Sequence, residues 1–264
     1  MPNVSVSIGG AKFEGWTSFD ITRSIESLTG SFSMSVTDEQ ERKNNLSWPL
    51  QTQKAVIIKV DDIPLINGYI DEVSPSISPE EHSITISGRD RTCDLIDCSA
   101  DLVARKFSFN KTNILQLASA LCEPFGIVVK VSPGTDTSKV FKLSVNTGES
   151  VFELLDRKAK ESGILLTTDT SGALVLSNSQ RDVSYTSLEL GVNIKSGDSS
   201  FNYENRFSAY RVIGQSKESK DWKANLNIKG TSSDEGVLRY RPLLIQASGE
   251  TNSTRAQTLA NWEA

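Results

Sequence analysis

Strict alternation of small polar and apolar residues governs the first ninety positions. Val4-Ser5-Val6-Ser7-Ile8, Phe32-Ser33-Met34-Ser35-Val36 and Ser83-Ile84-Thr85-Ile86-Ser87 each switch polarity at every step. Successive side chains leave a strand on opposite faces, so a period of two fits half-buried strands and not a helix. Between them, Ala55-Val56-Ile57-Ile58-Lys59-Val60, the Asp61-Asp62 pair and Pro64-Leu65-Ile66-Asn67-Gly68-Tyr69-Ile70 read as a hairpin with Gly68 at a bend or bulge. Several short antiparallel strands with few helices predict a small barrel.

The period then changes. Thr112-Asn113 caps a helix from Ile114 to about Glu123, which Pro124-Phe125-Gly126 closes before a strand at Ile127-Val128-Val129-Lys130-Val131. Ser150 caps a second helix, Val151 to Ser162, with Phe152, Leu155 and Ala159 on one face, and Gly163 ends it before Ile164-Leu165-Leu166-Thr167-Thr168. Asn113 to Gly126 and Ser150 to Gly163 have equal length, so the segment is an internal helix-strand repeat forming an α+β module. Asp169-Thr170-Ser171-Gly172 turns the chain into Leu174-Val175-Leu176, and Asn178-Ser179-Gln180 reads as an exit linker.

Strand patterns resume at Asn193-Ile194-Lys195, from Phe207 to Ile213 and from Leu238 to Ile245. Lys217-Glu218-Ser219-Lys220-Asp221 and Thr231 to Gly236 are expected as exposed loops, and Ser253 to Trp262 as a helix. The expected fold is mainly β with an α+β insert: a barrel at residues 1–98, the insert at 99–180, and a second barrel at 181–264. A helix followed only by Glu263-Ala264 has no C-terminal cap, so the last domain is expected to be truncated. The alternative is a natural C-terminal helix that frays.

Three sets of residues resemble one family. They are Gly88-Arg89-Asp90-Arg91-Thr92-Cys93-Asp94-Leu95-Ile96-Asp97-Cys98-Ser99-Ala100, then Val212-Ile213-Gly214-Gln215-Ser216 with Arg239-Tyr240-Arg241-Pro242-Leu243-Leu244-Ile245, then Arg255-Ala256 through Trp262-Glu263. Together they resemble the baseplate hub proteins of Mu-like contractile-tailed phages, related more distantly to late control D proteins. The resemblance implies two similar tube-type barrels per subunit. Three subunits would then make a ring of six quasi-equivalent barrels around a DNA channel, matching a sixfold tail tube to a threefold spike. Implied partners are the homotrimer, the tail spike protein, the tail tube and other baseplate proteins. The implied location is the virion baseplate, after assembly in a host bacterial cytoplasm.

Composition limits the chemistry. The net charge of -5 argues against binding the phosphate backbone, whose affinity comes from counterions displaced by clustered Lys and Arg; DNA would pass through the implied channel without specific binding. No apolar run approaches the ~20 residues of a membrane span, and Met1-Pro2-Asn3-Val4 lacks the features of a signal peptide, so a cytoplasmic chain without membrane insertion is expected. Cys93, Cys98 and Cys122 cannot pair completely and fit no common zinc spacing, so they read as reduced, mostly buried thiols. The one histidine, His82, follows Pro79-Glu80-Glu81 in what looks like a solvated turn, which argues against a catalytic triad or histidine-rich metal site. Asp90, Asp94 and Asp97 suit a polar junction better than Ca²⁺ ligands, because no EF-hand glycine and glutamate follow.

No catalytic residue, metal or cofactor is therefore expected. Arg239 and Arg241, placed on one strand face with Tyr240 on the other, are candidates for an intersubunit or loop-anchoring ion pair, and Trp262 for a subunit contact. The alternative is two surface arginines on a sheet edge, where Pro242 also suits an edge or bulge. Trp16, Phe19, Trp48, Trp222 and Trp262 are scattered and suit cores or contacts better than stacking platforms. The alternative function is a cell-wall or carbohydrate-binding module at Thr112 to Ser177, where the only aromatics are Phe125, Phe141 and Phe152. A tail-lysozyme-type enzyme acting through Glu149 or Glu153 ranks third.

Overall fold

Two-residue turns set the first sheet. Asp61 and Asp62 both take left-handed backbone angles, with φ of 48° and 66°, as a tight hairpin of the right twist requires. The computed structural model describes residues 4–13, 16–37, 52–78, 82–101, 111–178, 187, 189–194, 196–216 and 228–264. Its first strands are β1 (Val4–Ile8), β2 (Ala11–Phe13), β3 (Trp16–Thr22), β4 (Ser31–Thr37), β5 (Ala55–Val60), β6 (Ile63–Ile77) and β7 (His82–Asp90). They form one antiparallel sheet in the order β2-β1-β5-β6-β7-β4-β3. The apolar alternates Val6, Phe32, Met34, Ile58, Ile66, Ile70 and Ile86 point to one buried face.

The edge strands β2 and β3 are neighbours in the chain. Phe13 and Trp16 are three residues apart, so their Cα atoms lie within about 11 Å and the sheet must curl back on itself as a half-barrel. No ladder joins β2 to β3 among the described residues, so the expected closed barrel is not seen there.

The next elements are α1 (Cys93–Asp97), β8 (Thr112–Asn113), α2 (Ile114–Cys122), β9 (Val129–Val131), β10 (Val140–Phe141), α3 (Val151–Ser162), β11 (Leu165–Thr168) and β12 (Leu174–Ser177). Both long helices open on a capping box. The Asn113 side chain accepts from the Gln116 N–H at 2.9 Å and Gln116 accepts from the Asn113 N–H at 3.3 Å. Ser150 and Glu153 exchange the same bonds at 3.1 and 2.8 Å. Both also close alike, on left-handed Gly126 and Gly163 with φ of 63° and 73°. The N–H groups of Ile127 and Ile164 reach back to the carbonyls of Cys122 and Ala159, so the last turns are satisfied in the same way. A 3-10 turn, Glu123–Phe125, precedes the first glycine. β9 and β11 flank β12 in one sheet, parallel and antiparallel to it respectively.

The chain divides into two compact units, Met1–Asp156 with Leu165–Ser177, and Arg157–Ile164 with Asn178–Ala264. In the second, β13 (Ala209–Gln215), β14 (Ile228–Ser233) and β15 (Pro242–Glu250) form a sheet in the order β14-β13-β15, covered by α4 (Ser253–Glu263). Val212, Ile228 and Ala247 pack against Ala256, Leu259 and Ala260. Gly230 makes this possible, because a Cβ there would run into the α4 backbone at Ala256.

Several expectations need correction. Asn193 and Ile194 lie in a turn closed by one bridge from Leu190 to Ile194, not in a strand. Thr231 to Ser233 belong to β14, leaving only Asp234 to Gly236 as the turn. Arg239 to Arg241 precede β15 and are not part of it, since Pro242 opens that edge strand. Pro79 to Glu81, Ser179-Gln180, Lys217 to Asp221, Lys195, Trp48 and Trp222 lie outside the described residues. No described helix is long and apolar enough to cross a membrane.

Candidate functional site

The Gly88–Ala100 stretch builds a polar joint in the first unit. Asp90, fully buried at the end of β7, accepts from the Gly30 and Asn67 N–H groups, both at 3.1 Å, and pairs with Arg23 at 3.3 Å. Burial raises its carboxyl above the usual range, against the pull of Arg23 and the two amides. Arg23 also donates to the carbonyls of Leu65 and Thr168, the latter at 2.7 Å. The Thr168 hydroxyl donates to the Leu28 carbonyl and meets the Thr92 hydroxyl at 3.0 Å, while the Asn67 side chain donates to the Ser171 carbonyl at 2.8 Å. The hairpin β11–β12 is thereby fastened to the first sheet by side chain-to-carbonyl bonds. One residue back, the Arg89 guanidinium spans Asp71 at 2.6 Å and Asp97 at 2.7 Å, which holds the Asp97 carboxyl below its usual range.

The three cysteines are not activated. Burial pushes the Cys93 and Cys122 thiols up to about 12 and raises Cys98, so the nucleophilic thiolate is disfavoured. No three His, Cys, Asp or Glu side chains gather as a metal site among the described residues.

On the solvent face of the same sheet, register lines up hydroxyls across four strands. Ser18, Ser35, Thr85 and Ser74 form one row, with 3.4 Å between the Ser35 and Thr85 oxygens. The next row runs Asp20, Ser33, Ser87, Glu72. Neither row contains a cation, and the adjoining Arg89 is occupied by Asp71 and Asp97. The far strands β1, β2 and β5 differ, carrying Lys12 and Lys59 on this face.

The arginines singled out in the sequence separate. The Arg241 guanidinium donates to the Glu204 carbonyl at 2.7 Å and lies 5.3 Å over the Phe207 ring, and its backbone N–H donates to the Ser208 hydroxyl at 2.8 Å. Arg239 is exposed between Leu238 and Tyr240, themselves 99% and 77% exposed. The ladder does not hold these residues, so the expected strand faces do not exist. Their loop is held instead by Arg241 and by the 2.6 Å pair of Arg206 with Asp234. Trp262 is half-buried on α4, beside a groove lined by Gly163, Thr258 and Asn261.

One polar cluster was invisible in the sequence. Lys158 and Glu161, both more than nine-tenths buried, pair at 2.9 Å, and the Ser248 hydroxyl donates to Glu161 at 2.8 Å. Burial lowers the Lys158 ammonium, partly offset by Glu161. A Lys-x-x-Glu spacing on a helix normally marks a solvated face. The apolar periodicity of Leu154, Leu155 and Ala159 carried no hint that Lys158 shares their burial.

Over 265 residues the chain is 32% identical to the baseplate hub protein gp44 of Escherichia phage Mu, spanning 97% of this chain and 68% of that one. The chain belongs to the Mu-type baseplate hub family. Residues 3–90 match the family described as Mu phage baseplate assembly protein GpP-like, N-terminal, and residues 92–178 match baseplate hub protein gp44-like, second domain. These hub segments meet at Arg91, inside the polar joint. The 43 kDa tail protein of prophage MuSo2 from Shewanella oneidensis is 33% identical, superposes with a TM-score of 0.81, and is covered over 78% of its length by all of this chain. A Neisseria meningitidis MC58 tail protein, 22% identical with a TM-score of 0.77 over 99% of this chain and 77% of that one, shares the fold. In this hub-family chain Val212 to Gln215 form the end of β13 with Ser216 just beyond it, Pro242 to Ile245 open β15, and Arg255 to Glu263 lie in α4.

Proposed function

We propose that this chain is a non-enzymatic, trimeric hub of a contractile phage or prophage tail, joining the tail tube to the central spike around a DNA channel. The identity to the Mu hub across nearly the whole chain carries the proposal. Residues 1–98 and 181–264 would act as tube-type barrels and 99–180 as an outward insert contacting other baseplate proteins. Arg239 and Trp262 would lie at subunit contacts, with Arg241 holding the loop that presents Arg239. The protein would be assembled in the host cytoplasm, reside in the virion baseplate and need no cofactor. Its energy source is buried interface area.

Sedimentation equilibrium over a wide concentration range, with and without extension to the length of the Mu relative, tests this. A trimer in either form, with rings by electron microscopy, is the expected result. A monomer in both, even at high concentration, removes the annulus and favours a cell-wall or carbohydrate-binding module.

A further inference from the structure

We infer that Arg23 is the catch of a movable joint, and that the segment after Cys98 swings away from the first sheet while each keeps its own fold. The apolar core beneath the first sheet draws every described member, and every half-buried residue packed on it, from β1 to β7. The later segment buries side chains of its own, among them Leu117, Leu121, Leu166 and Leu174. Hydrogen bonds from Arg23, Asn67 and Thr168 cross between them at the β11–β12 hairpin. Segments that meet through limited polar contacts move relative to one another unless a large apolar interface prevents it.

Packing and connection point the same way. A cavity of about 290 Å³ separates the Arg23 to Gly30 loop from Thr167 and Thr168, so the two sides are not close-packed where they are fastened. At the pivot, Asp97 is held to Arg89 of β7 at 2.7 Å. The next residues are held to the other side: the Cys98 carbonyl accepts from the Val151 N–H at 3.0 Å, and the Ala100 N–H donates to the Glu149 carbonyl at 2.9 Å. Neighbouring residues thus belong to different bodies, and a hinge needs only a few such positions. The catch is a relay. Buried Asp90 positions the Arg23 guanidinium at 3.3 Å, and Arg23 grips the Thr168 carbonyl at 2.7 Å. Opening it lets the insert take a second position without remaking either core.

Spin labels on Thr85→Cys and Val128→Cys, both exposed, test this in the full chain with Cys98→Ser, since burial suppresses the other two thiols. Labelled chain is diluted with unlabelled chain, so that electron-electron resonance reads distances within one molecule. Arg23→Met should raise the share of a longer distance more than about tenfold, because it leaves the buried Asp90 carboxylate without its counter-charge. Circular dichroism should be unchanged. A distance distribution like that of the native chain overturns the joint, since the catch would then hold nothing.

Should Arg23→Met fail to fold, Asn67→Ala/Thr168→Val decides the matter. It removes the Asn67 bond to Ser171 and the Thr168 hydroxyl bonds to Leu28 and Thr92, and leaves the buried charges intact. A longer distance in a folded chain supports the joint. A single native distance, or loss of both segments in one transition, overturns it.

Discussion

The two helix-strand copies share their ends and differ in their middles. With an offset of 37 residues, Asn113 corresponds to Ser150, Gly126 to Gly163 and Leu121 to Lys158. Leu121 is 2% exposed and Lys158 is 1% exposed, so one buried position takes an isobutyl group in α2 and an ammonium in α3. In the second copy Glu161 and Ser248 supply the counter-charge and hydrogen bond that make an ion tolerable there. Start and stop signals thus fix where a helix lies. What its buried face may contain is decided by groups distant in sequence.

Exchanging buried residues between the two copies has the largest expected effect. Leu121→Lys, which puts the second copy's residue into the first copy without a partner, should cost more than roughly 4 kcal/mol, read by chemical denaturation. A smaller loss would mean that α2 also has a carboxylate within reach. Glu161→Leu should cost about 3–5 kcal/mol by removing the carboxylate that pairs with the buried Lys158 ammonium, and adding Lys158→Leu should recover most of that. If the double variant is no more stable than the single, the pair is not what limits stability at this site.

The shared ends can be sharpened by milder changes. Asn113→Ala and Ser150→Ala should each cost about 1 kcal/mol, because each removes one acceptor for an otherwise unpaired helix N–H. Unequal losses in thermal melts would show that the two capping boxes are equivalent in geometry only. The smallest effect concerns the turn after β11, whose counterpart in the first copy opens on Ser132 where this one has Asp169. Although partial burial opposes it, hydrogen bonds from Lys130, Ser171 and Ala173 bring the Asp169 carboxyl down to about 2. A depressed carboxylate stabilises above its ordinary value near 3.9 and loses that contribution as pH falls through about 2. Asp169→Asn should therefore melt below the native protein at pH 7, with the gap closing between about pH 4 and 2. A gap that stays constant across that window would exclude the carboxylate charge as its source.

Legibility followed range. Alternation exposed the strands of the first sheet, and Asn113, Ser150 and two glycines exposed both helices, because each signal acts within about four residues of itself. Leu238 to Arg241 misled, since apolar and aromatic residues there suggested a strand while Pro242 and the side-chain bonds of Arg241 kept the ladder from starting earlier. The Asp90 joint was legible as polar but not as a fastening, since its partners Arg23, Gly30, Asn67 and Thr168 are spread over more than 140 positions. Lys158 was hidden for the same reason, with Ser248 about ninety residues away.

The strand order also has a consequence for how the chain is made. β1 with β2 and β3 with β4 are local hairpins that can close as soon as they leave the ribosome, yet they do not pair with each other. β1 waits for β5, and β4 waits for β7, which ends at Asp90. Until that residue emerges, two hairpins with unpaired edges sit side by side on one nascent chain. The slow, non-local step of folding is the arrival of the β5–β6–β7 meander that knits them together.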